Sequence, residues 1–361
     1  MTGRRVLVTG GNGFVGGAVC RALLEAGHDV TALVRSPDRA IAAAGAGARV
    51  AVGDITDPPT YTDLARRADA VVHTAQLRAP ARLGARPLAR MHRAERVART
   101  ALAAACRDGG TRLVYTSGAF VYGDHGEEWI TEATPLNPSP VGREHAAGMA
   151  ELAQGAAQHG LDAVTVVVGF VYGPGGNFRT AFYDQARSGT VRYVAGGRNY
   201  FSCVHLEDLA AGYLAALEHG RAGRHYNLVD DTPLTWRELA EEVARHVPGA
   251  RTGSVPSLAA KLALGAPLTA SLTTSYRVAN GAARTELGWR PRHRLTEAVP
   301  GVVAALDETA PGRTGSGGRL PAPGRSRTGD GAQDGDRART GAARRVPAPH
   351  PPNQGGIDPC D

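Results

Sequence analysis

The residues with the clearest chemical potential stand close to the start of the chain. Residues 6–17 read Val-Leu-Val-Thr-Gly-Gly-Asn-Gly-Phe-Val-Gly-Gly. Gly10, Gly13 and Gly16 satisfy Gly-x-x-Gly-x-x-Gly, and Gly11, Gly13 and Gly16 satisfy Gly-x-Gly-x-x-Gly. An apolar strand-like run precedes the motif and an amphipathic helical run follows it, which is the context that raises it above a mere turn. Glycines there allow a tight turn and close approach of the backbone to a diphosphate. The free N–H groups of Phe14, Val15 and Gly16, at the positive end of a helix, would hold the anion.

A dinucleotide held this way passes the ends of the neighbouring strands. The second ends in Val34-Arg35, where a site for an unphosphorylated ribose commonly has a carboxylate. Arg35 offers a fork of donors suited to a 2′-phosphate, which favours NADP over NAD as cofactor, against the plainer reading of an exposed loop arginine. The third ends in Gly53-Asp54-Ile55, with a carboxylate suited to an adenine amine, and the fourth in His73-Thr74-Ala75, where a small-residue backbone could pass the cofactor. Ser117 closes a later strand, where open α/β sheets place ligands. It is a candidate to polarise a substrate oxygen, with a cap or turn role as the alternative.

The elements that must position these residues are legible as alternation. Strand-like runs at 5–9, 29–34, 49–52, 70–73, 112–116 and 163–168 are separated by helical stretches at 14–26, 37–44, 60–67, 87–106 and 143–158. That rhythm predicts an α/β fold, a Rossmann-type doubly wound parallel sheet covered on both faces. Gly27 is placed as a helix-ending glycine, and Ser36-Pro37 as a helix start. Residues 1–168 form the expected dinucleotide-binding domain, with returning elements near 200–222. Residues 169–310 form mainly a smaller substrate lobe, with helices at 206–218, 235–246 and 296–306. From 311 to 361 there are 8 Pro and 11 Gly in 51 residues and no aromatic, which predicts a disordered tail.

Composition narrows the function further. Of the net charge of +7 the tail supplies +3 (8 Arg less 5 Asp), and the remaining charge is scattered, so nucleic-acid binding is not expected. The four cysteines lie far apart without a CxxC pair or histidines at ligand spacing; neither a disulfide framework nor a metal site is expected. No signal peptide and no apolar run of about 20 residues is present, so a soluble, cytoplasmic protein is expected.

Further segments extend the pattern: Val71-Val72-His73-Thr74-Ala75, Val114-Tyr115-Thr116-Ser117, Val121-Tyr122-Gly123, Val171-Tyr172-Gly173-Pro174-Gly175, Val204-His205-Leu206-Glu207-Asp208 and Leu287-Gly288-Trp289-Arg290-Pro291. With the glycine turn, these resemble the extended short-chain dehydrogenase/reductase superfamily, its NAD(P)-dependent epimerase/dehydratase group. The resemblance runs in order through nearly all of residues 1–310. It implies a nicotinamide cofactor, a small-molecule substrate, a homodimer through the helices near 90–106 and 143–158, and three working side chains. These are a Ser/Thr polarising a substrate oxygen, a Tyr transferring the proton, and a Lys four residues later that lowers the Tyr pKa and binds ribose.

Here the chain departs. Aligning residues 138–147 places Val141 at the Tyr position and His145 at the Lys position, and Lys261 is the only lysine. The usual serine position is Gly118, beside Ser117. Valine moves no proton, and loss of a positioned general acid costs about 10²–10⁴-fold in rate. His145, with a reference pKa near 6.5, is the expected candidate to handle protons and touch the ribose, with Arg143 and Glu144 as possible helpers and a solvated first helical turn as the plain reading. Two functions remain open: an NAD(P)-dependent oxidoreductase or epimerase acting on a carbonyl or hydroxyl carbon through non-standard residues, or a cofactor-binding protein that is a non-redox isomerase or cyclase, or catalytically silent. Loops 173–190 and 196–203, with Phe178, Arg179, Tyr183, Arg198 and Tyr200, are expected to shape the pocket.

Overall fold

In the computed structural model, which describes residues 3–36 and 47–309, the β-branched runs form β1 (Arg5–Thr9), β2 (Asp29–Val34), β3 (Arg49–Val52), β4 (Ala70–His73), β5 (Arg112–Gly118) and β6 (Ala163–Val168). Later strands are short: β7 (Phe170–Tyr172), β8 (Thr190–Val194), β9 (Tyr200–Phe201), β10 (Cys203–His205), β11 (His225–Leu228), β12 (Leu234–Thr235) and β13 (Arg251–Val255). The main sheet has seven strands in the order β11-β6-β5-β4-β1-β2-β3, all parallel. The order reverses direction beside β1, the place where such sheets bind ligands.

Side-chain alternation along the strands feeds two layers. Val6 and Val8 face α1 (Phe14–Glu25) and, from the return segment, Leu209 and Tyr213, while Leu7 faces the opposite side, where Leu102, Ala105 and Leu152 lie. The opposite layer is built from α2 (Thr62–Arg67), α3 (Ala85–Gly109) and α4 (Arg143–His159). β6, Ala-Val-Thr-Val-Val-Val, is buried throughout, as a central parallel strand covered on both faces must be. Gly27 closes the first βα unit at φ +84°, a left-handed turn that glycine adopts without steric cost. The helix expected at 37–44 and the stretch 311–361, with Cys360, lie outside the described residues.

The chain then leaves the sheet and returns through α5 (Leu206–His219) and β11. Return segments near 200–222 were expected, but the seventh strand was not, since His-Tyr-Asn-Leu is short and polar. The second lobe contains α6 (Trp236–Arg245), α7 (Ser257–Leu264), α8 (Ala266–Thr273) and α10 (Leu295–Glu308), whereas α9 (Gly281–Glu286) packs on β11 with Ala283 in the main core. The core of the lobe gathers Phe182, Trp236, Leu239, Val243 and Val299. α7 and α8 were not foreseen, because Pro256, Gly265 and Pro267 punctuate them as a loop would. Phe178 and Tyr183 lie inside this core rather than lining an open pocket. Among the described residues no helix is long and apolar enough to cross a membrane, and Cys20, Cys106 and Cys203 are buried and unpaired.

Candidate active site

The turn after β1 is shaped by close approach. Gly10 has φ +72°, and its N–H bonds the Leu33 carbonyl at 3.1 Å. A Cβ on Gly16 would stand 2.2 Å from the Gly10 oxygen, and one on Gly11 2.6 Å from the Ala32 Cβ, so neither site admits a side chain without moving backbone. Gly13 N–H closes the turn on the Gly10 carbonyl at 2.8 Å. Helix α1 begins with no capping side chain and no acidic residue in its first turn, so the N–H groups of Phe14, Val15 and Gly16 are open to an anion. This cradle fits a diphosphate. The Phe14 ring itself is engaged elsewhere, against the backbone of Gly173, Gly175 and Gly176, which seats the second lobe's first loop over the turn.

The end of β4 is stitched to this turn. The Thr74 hydroxyl donates to the Thr9 carbonyl at 2.7 Å, and the Ala75 N–H to the Thr9 hydroxyl oxygen at 3.3 Å. Gly10 leaves no room beyond the Ala75 Cα, which a Cβ would meet at 3.0 Å. Beyond the end of β2, Arg35 is exposed. The Asp54 carboxylate takes the Thr56 N–H and hydroxyl, both at 2.8 Å, and is held below the usual carboxylate range by the Thr56 N–H first, with Arg35 contributing. Ile55 is buried beside it.

At the other end of the cleft the arrangement departs from what the resemblance implies. Ser117 is buried and donates to the Met149 sulfur at 3.2 Å, pointing into the helix layer. Above Gly118 lies the Phe120 ring: a Cβ there would meet it at 2.5 Å. Val141 is half-buried, Arg143 is exposed, and Glu144 is tied to Arg96 and Arg99 at 2.8 and 3.0 Å. The His145 ring is buried, 5.3 Å from the Phe120 ring in edge contact, with Nδ1 3.3 Å from the Tyr115 hydroxyl. Burial above all, then the charges of Arg99 and His92, pushes its pKa down to about 4. At neutral pH the ring is therefore uncharged, unlike a lysine, and the proton exchange near pH 6.5 expected from its reference value is displaced well to the acid side.

Two contributors escaped sequence reasoning. Phe120, which fills the space over Gly118, carries no sequence signal of its own. Glu95 does carry one: it lies on the stripe of α3 that buries Ala94, Ala98 and Leu102, an acidic residue on an apolar helix face. Tyr115, buried in β5, donates to Glu95 at 2.7 Å. His205 caps α5, its Nδ1 accepting the Glu207 N–H at 3.3 Å. The His205 ring also lies against that of His293, 4.0 Å between centres and tilted by 31°.

What the cradle and sheet define together is a class: Rossmann-type proteins that hold a nicotinamide dinucleotide along the carboxyl edge of the sheet. The family within that class follows from comparison. Residues 6–228 match the model of the NAD dependent epimerase/dehydratase family; the chain belongs to this family and is an enzyme of it. It is 32% identical over 306 residues to the 3-diazoavenalumate denitrifying reductase of a Streptomyces species, covering 80% of this chain and 96% of the relative. It is 30% identical over 277 residues to the 2-alkyl-3-oxoalkanoate reductase of Stenotrophomonas maltophilia, covering 73% and 81%. Among solved structures, a dTDP-glucose 4,6-dehydratase of Streptomyces venezuelae with NAD bound superposes with a TM-score of 0.72 at 26% identity, over 84% of this chain and 97% of that one.

Proposed function

We propose that this enzyme is a nicotinamide-dependent reductase whose preferred acceptors need no proton from the protein. The observation that carries this reading is the Phe120 ring packed over Gly118, beside Val141 and an uncharged His145. Where a family member with the usual residues has a hydroxyl, a phenol and an ammonium, this chain offers an aromatic face, an aliphatic side chain and a neutral imidazole. The bound dinucleotide supplies a hydride. The side chains around it supply an apolar wall, and an aromatic face attracts cations. Acceptors that are complete once they receive a hydride already carry positive charge: an iminium becomes an amine, and an aryldiazonium becomes an aryldiazene, which loses dinitrogen to leave the arene. A relative named for denitrifying a diazo compound supports this class.

The cradle residues Gly10, Gly13, Phe14, Val15 and Gly16 hold the diphosphate in this reading, Thr74 and Ala75 pass the cofactor, and Asp54 and Ile55 receive the adenine. Exposed Arg35 favours NADP. His145 touches the nicotinamide ribose, while Ser117, turned toward Met149, acts on the substrate only by shaping β5. Dimerisation is proposed at the groove of about 340 Å³ between α3 and α4, where Ala103, Ala104 and Gly155 allow close approach.

The test is the loss of reduced-nicotinamide absorbance with NADPH and NADH, comparing iminium and aryldiazonium acceptors with ketones, aldehydes and nucleotide sugars. Turnover of the cationic acceptors at least about 100-fold above that of neutral carbonyls is expected, the scale of a missing general acid. Equal rates on ketones would sink the reading. Saturable binding without turnover of any acceptor would favour a non-redox isomerase, a cyclase or a silent cofactor-binding protein, to which the same absence of proton donors points.

A further inference from the structure

The interior between β4, β5, α3 and α4 holds a line of buried polar groups that begins at the cofactor turn and ends at His145. The Ala75 N–H donates to the Thr9 hydroxyl oxygen at 3.3 Å, and that oxygen lies 2.8 Å from His73 Nδ1. The other nitrogen of His73 has no hydrogen-bond partner and stands 3.9 Å from Glu95 Oε1. The Tyr115 hydroxyl lies 2.7 Å from that same oxygen and 3.3 Å from His145 Nδ1. Thr9, His73, Glu95, Tyr115 and His145 are all buried.

The directions of these bonds follow from counting protons. The Tyr115 hydroxyl donates its single proton to Glu95. The phenolic oxygen then has only lone pairs for His145, whose Nδ1 must carry the hydrogen. On the other branch, either Thr9 or His73 can be the donor in their 2.8 Å contact, and His73 Nε2, 3.9 Å from Glu95, makes no hydrogen bond; the direction toward Glu95 is fixed only on the Tyr115 side. Such outer partners fix which nitrogen of a histidine is protonated.

We infer that Glu95 is a positioning residue: through Tyr115 it holds His145 as the Nδ1–H tautomer, so that Nε2 is a hydrogen-bond acceptor where the family's lysine is a donor. A ribose hydroxyl meeting His145 would therefore donate to it. The charged and titratable groups around the ring are Arg99, His92 and Glu95 from α3, Tyr115 from β5, His73 from β4 and Glu144 from its own helix. The inference is independent of which acceptor is reduced, because its readout needs no substrate.

The experiment is a two-bond proton–nitrogen spectrum of the full chain labelled with ¹⁵N-histidine, at neutral pH, with the His145 signals assigned by their loss in His145→Gln. The expected pattern is a protonated Nδ1 and a bare Nε2. In Glu95→Gln the new amide can donate to Tyr115, whose proton then turns to His145 Nδ1, and the pattern switches to Nε2–H. A merely structural role for Glu95 would lower stability without that switch. A wild-type His145 protonated at Nε2, or a folded Glu95→Gln that keeps Nδ1–H, would overturn the inference. Should Glu95→Gln not fold, Tyr115→Phe removes the acceptor oxygen and must also release the Nδ1–H preference. If neither variant folds, the wild-type spectrum alone decides.

Discussion

Gly16 and its neighbour Gly17 show how sharply a binding turn can discriminate between adjacent residues. An alanine at 16 would place its Cβ 2.2 Å from the Gly10 carbonyl oxygen, whereas at 17 the nearest atom is 3.5 Å away. Gly16→Ala must open the turn, so dinucleotide affinity is expected to fall by at least about 100-fold, roughly 2.7 kcal/mol, in a fluorescence titration. Gly17→Ala lies inside α1 and is expected to bind normally and to gain up to about 1 kcal/mol of stability from helix propensity. Equal affinities in the two variants would refute this account of the cradle. The motif that names these glycines was legible because it is contiguous. Nothing within residues 112–122 alone shows that Ser117 turns to Met149 while the Phe120 ring covers Gly118, since both depend on α4, which arrives from further along the chain.

Elements are joined here by a few buried polar anchors, of which Asp208 in the first turn of α5 is the clearest. Its Oδ2 accepts the N–H groups of Arg292 and His293 at 3.0 and 2.8 Å, and its carbonyl accepts the Trp289 indole N–H at 2.9 Å. The helix returned to the sheet is thereby tied to the segment that leads into α10. Asp208→Ala would leave the part-buried N–H groups of Arg292 and His293 without their acceptor and is expected to cost about 2 kcal/mol in urea denaturation; a shift under about 0.5 kcal/mol, the range of an ordinary surface substitution, would contradict the anchor. At this scale the sequence was most readable where the pattern is repetitive. The strand bounds read at 5–9, 29–34, 49–52, 70–73 and 163–168 match those found, because runs rich in β-branched residues stand apart from the Ala/Leu-rich helical stretches between them. β11 and helices α7 and α8 escaped, because neither periodicity nor punctuation sets them apart from loops.

For the molecule as a whole, buried titratable groups bend stability against pH in opposite directions. His145, with its pKa lowered to about 4, stays neutral in the fold while the unfolded chain, at about 6.5, takes up a proton. Stability is therefore intact above about pH 6.5 and is lost as pH falls toward 4. Asp230 behaves inversely: burial, opposed by the Thr232 N–H, pushes its carboxyl from 3.8 up to about 7, so stability is lost as pH rises between those values. Asp230→Asn is expected to stabilise the protein at pH 8, by up to about 4 kcal/mol, and much less at pH 5. His145→Gln is expected to help at pH 5 and not at pH 8. Thermal melts of both variants at the two pH values check the signs, and matching shifts at both would refute them. Removing residues 311–361, low in complexity and outside the family match, is expected to leave the melting temperature and dinucleotide affinity unchanged; a loss of either would give that stretch a role.

The linear chain by itself determined six of the seven sheet strands, the glycine-rich turn and the absence of a Tyr-x-x-x-Lys pair, because each is written in residues that are neighbours or repeat at a short period. Which groups surround His145 was decided only in three dimensions. Glu95, Tyr115 and His145 come from three separate elements, and the burial that keeps the imidazole neutral is contributed by side chains distant in sequence. Proton affinity is set by the surroundings a group is folded into, and no local pattern encodes those surroundings.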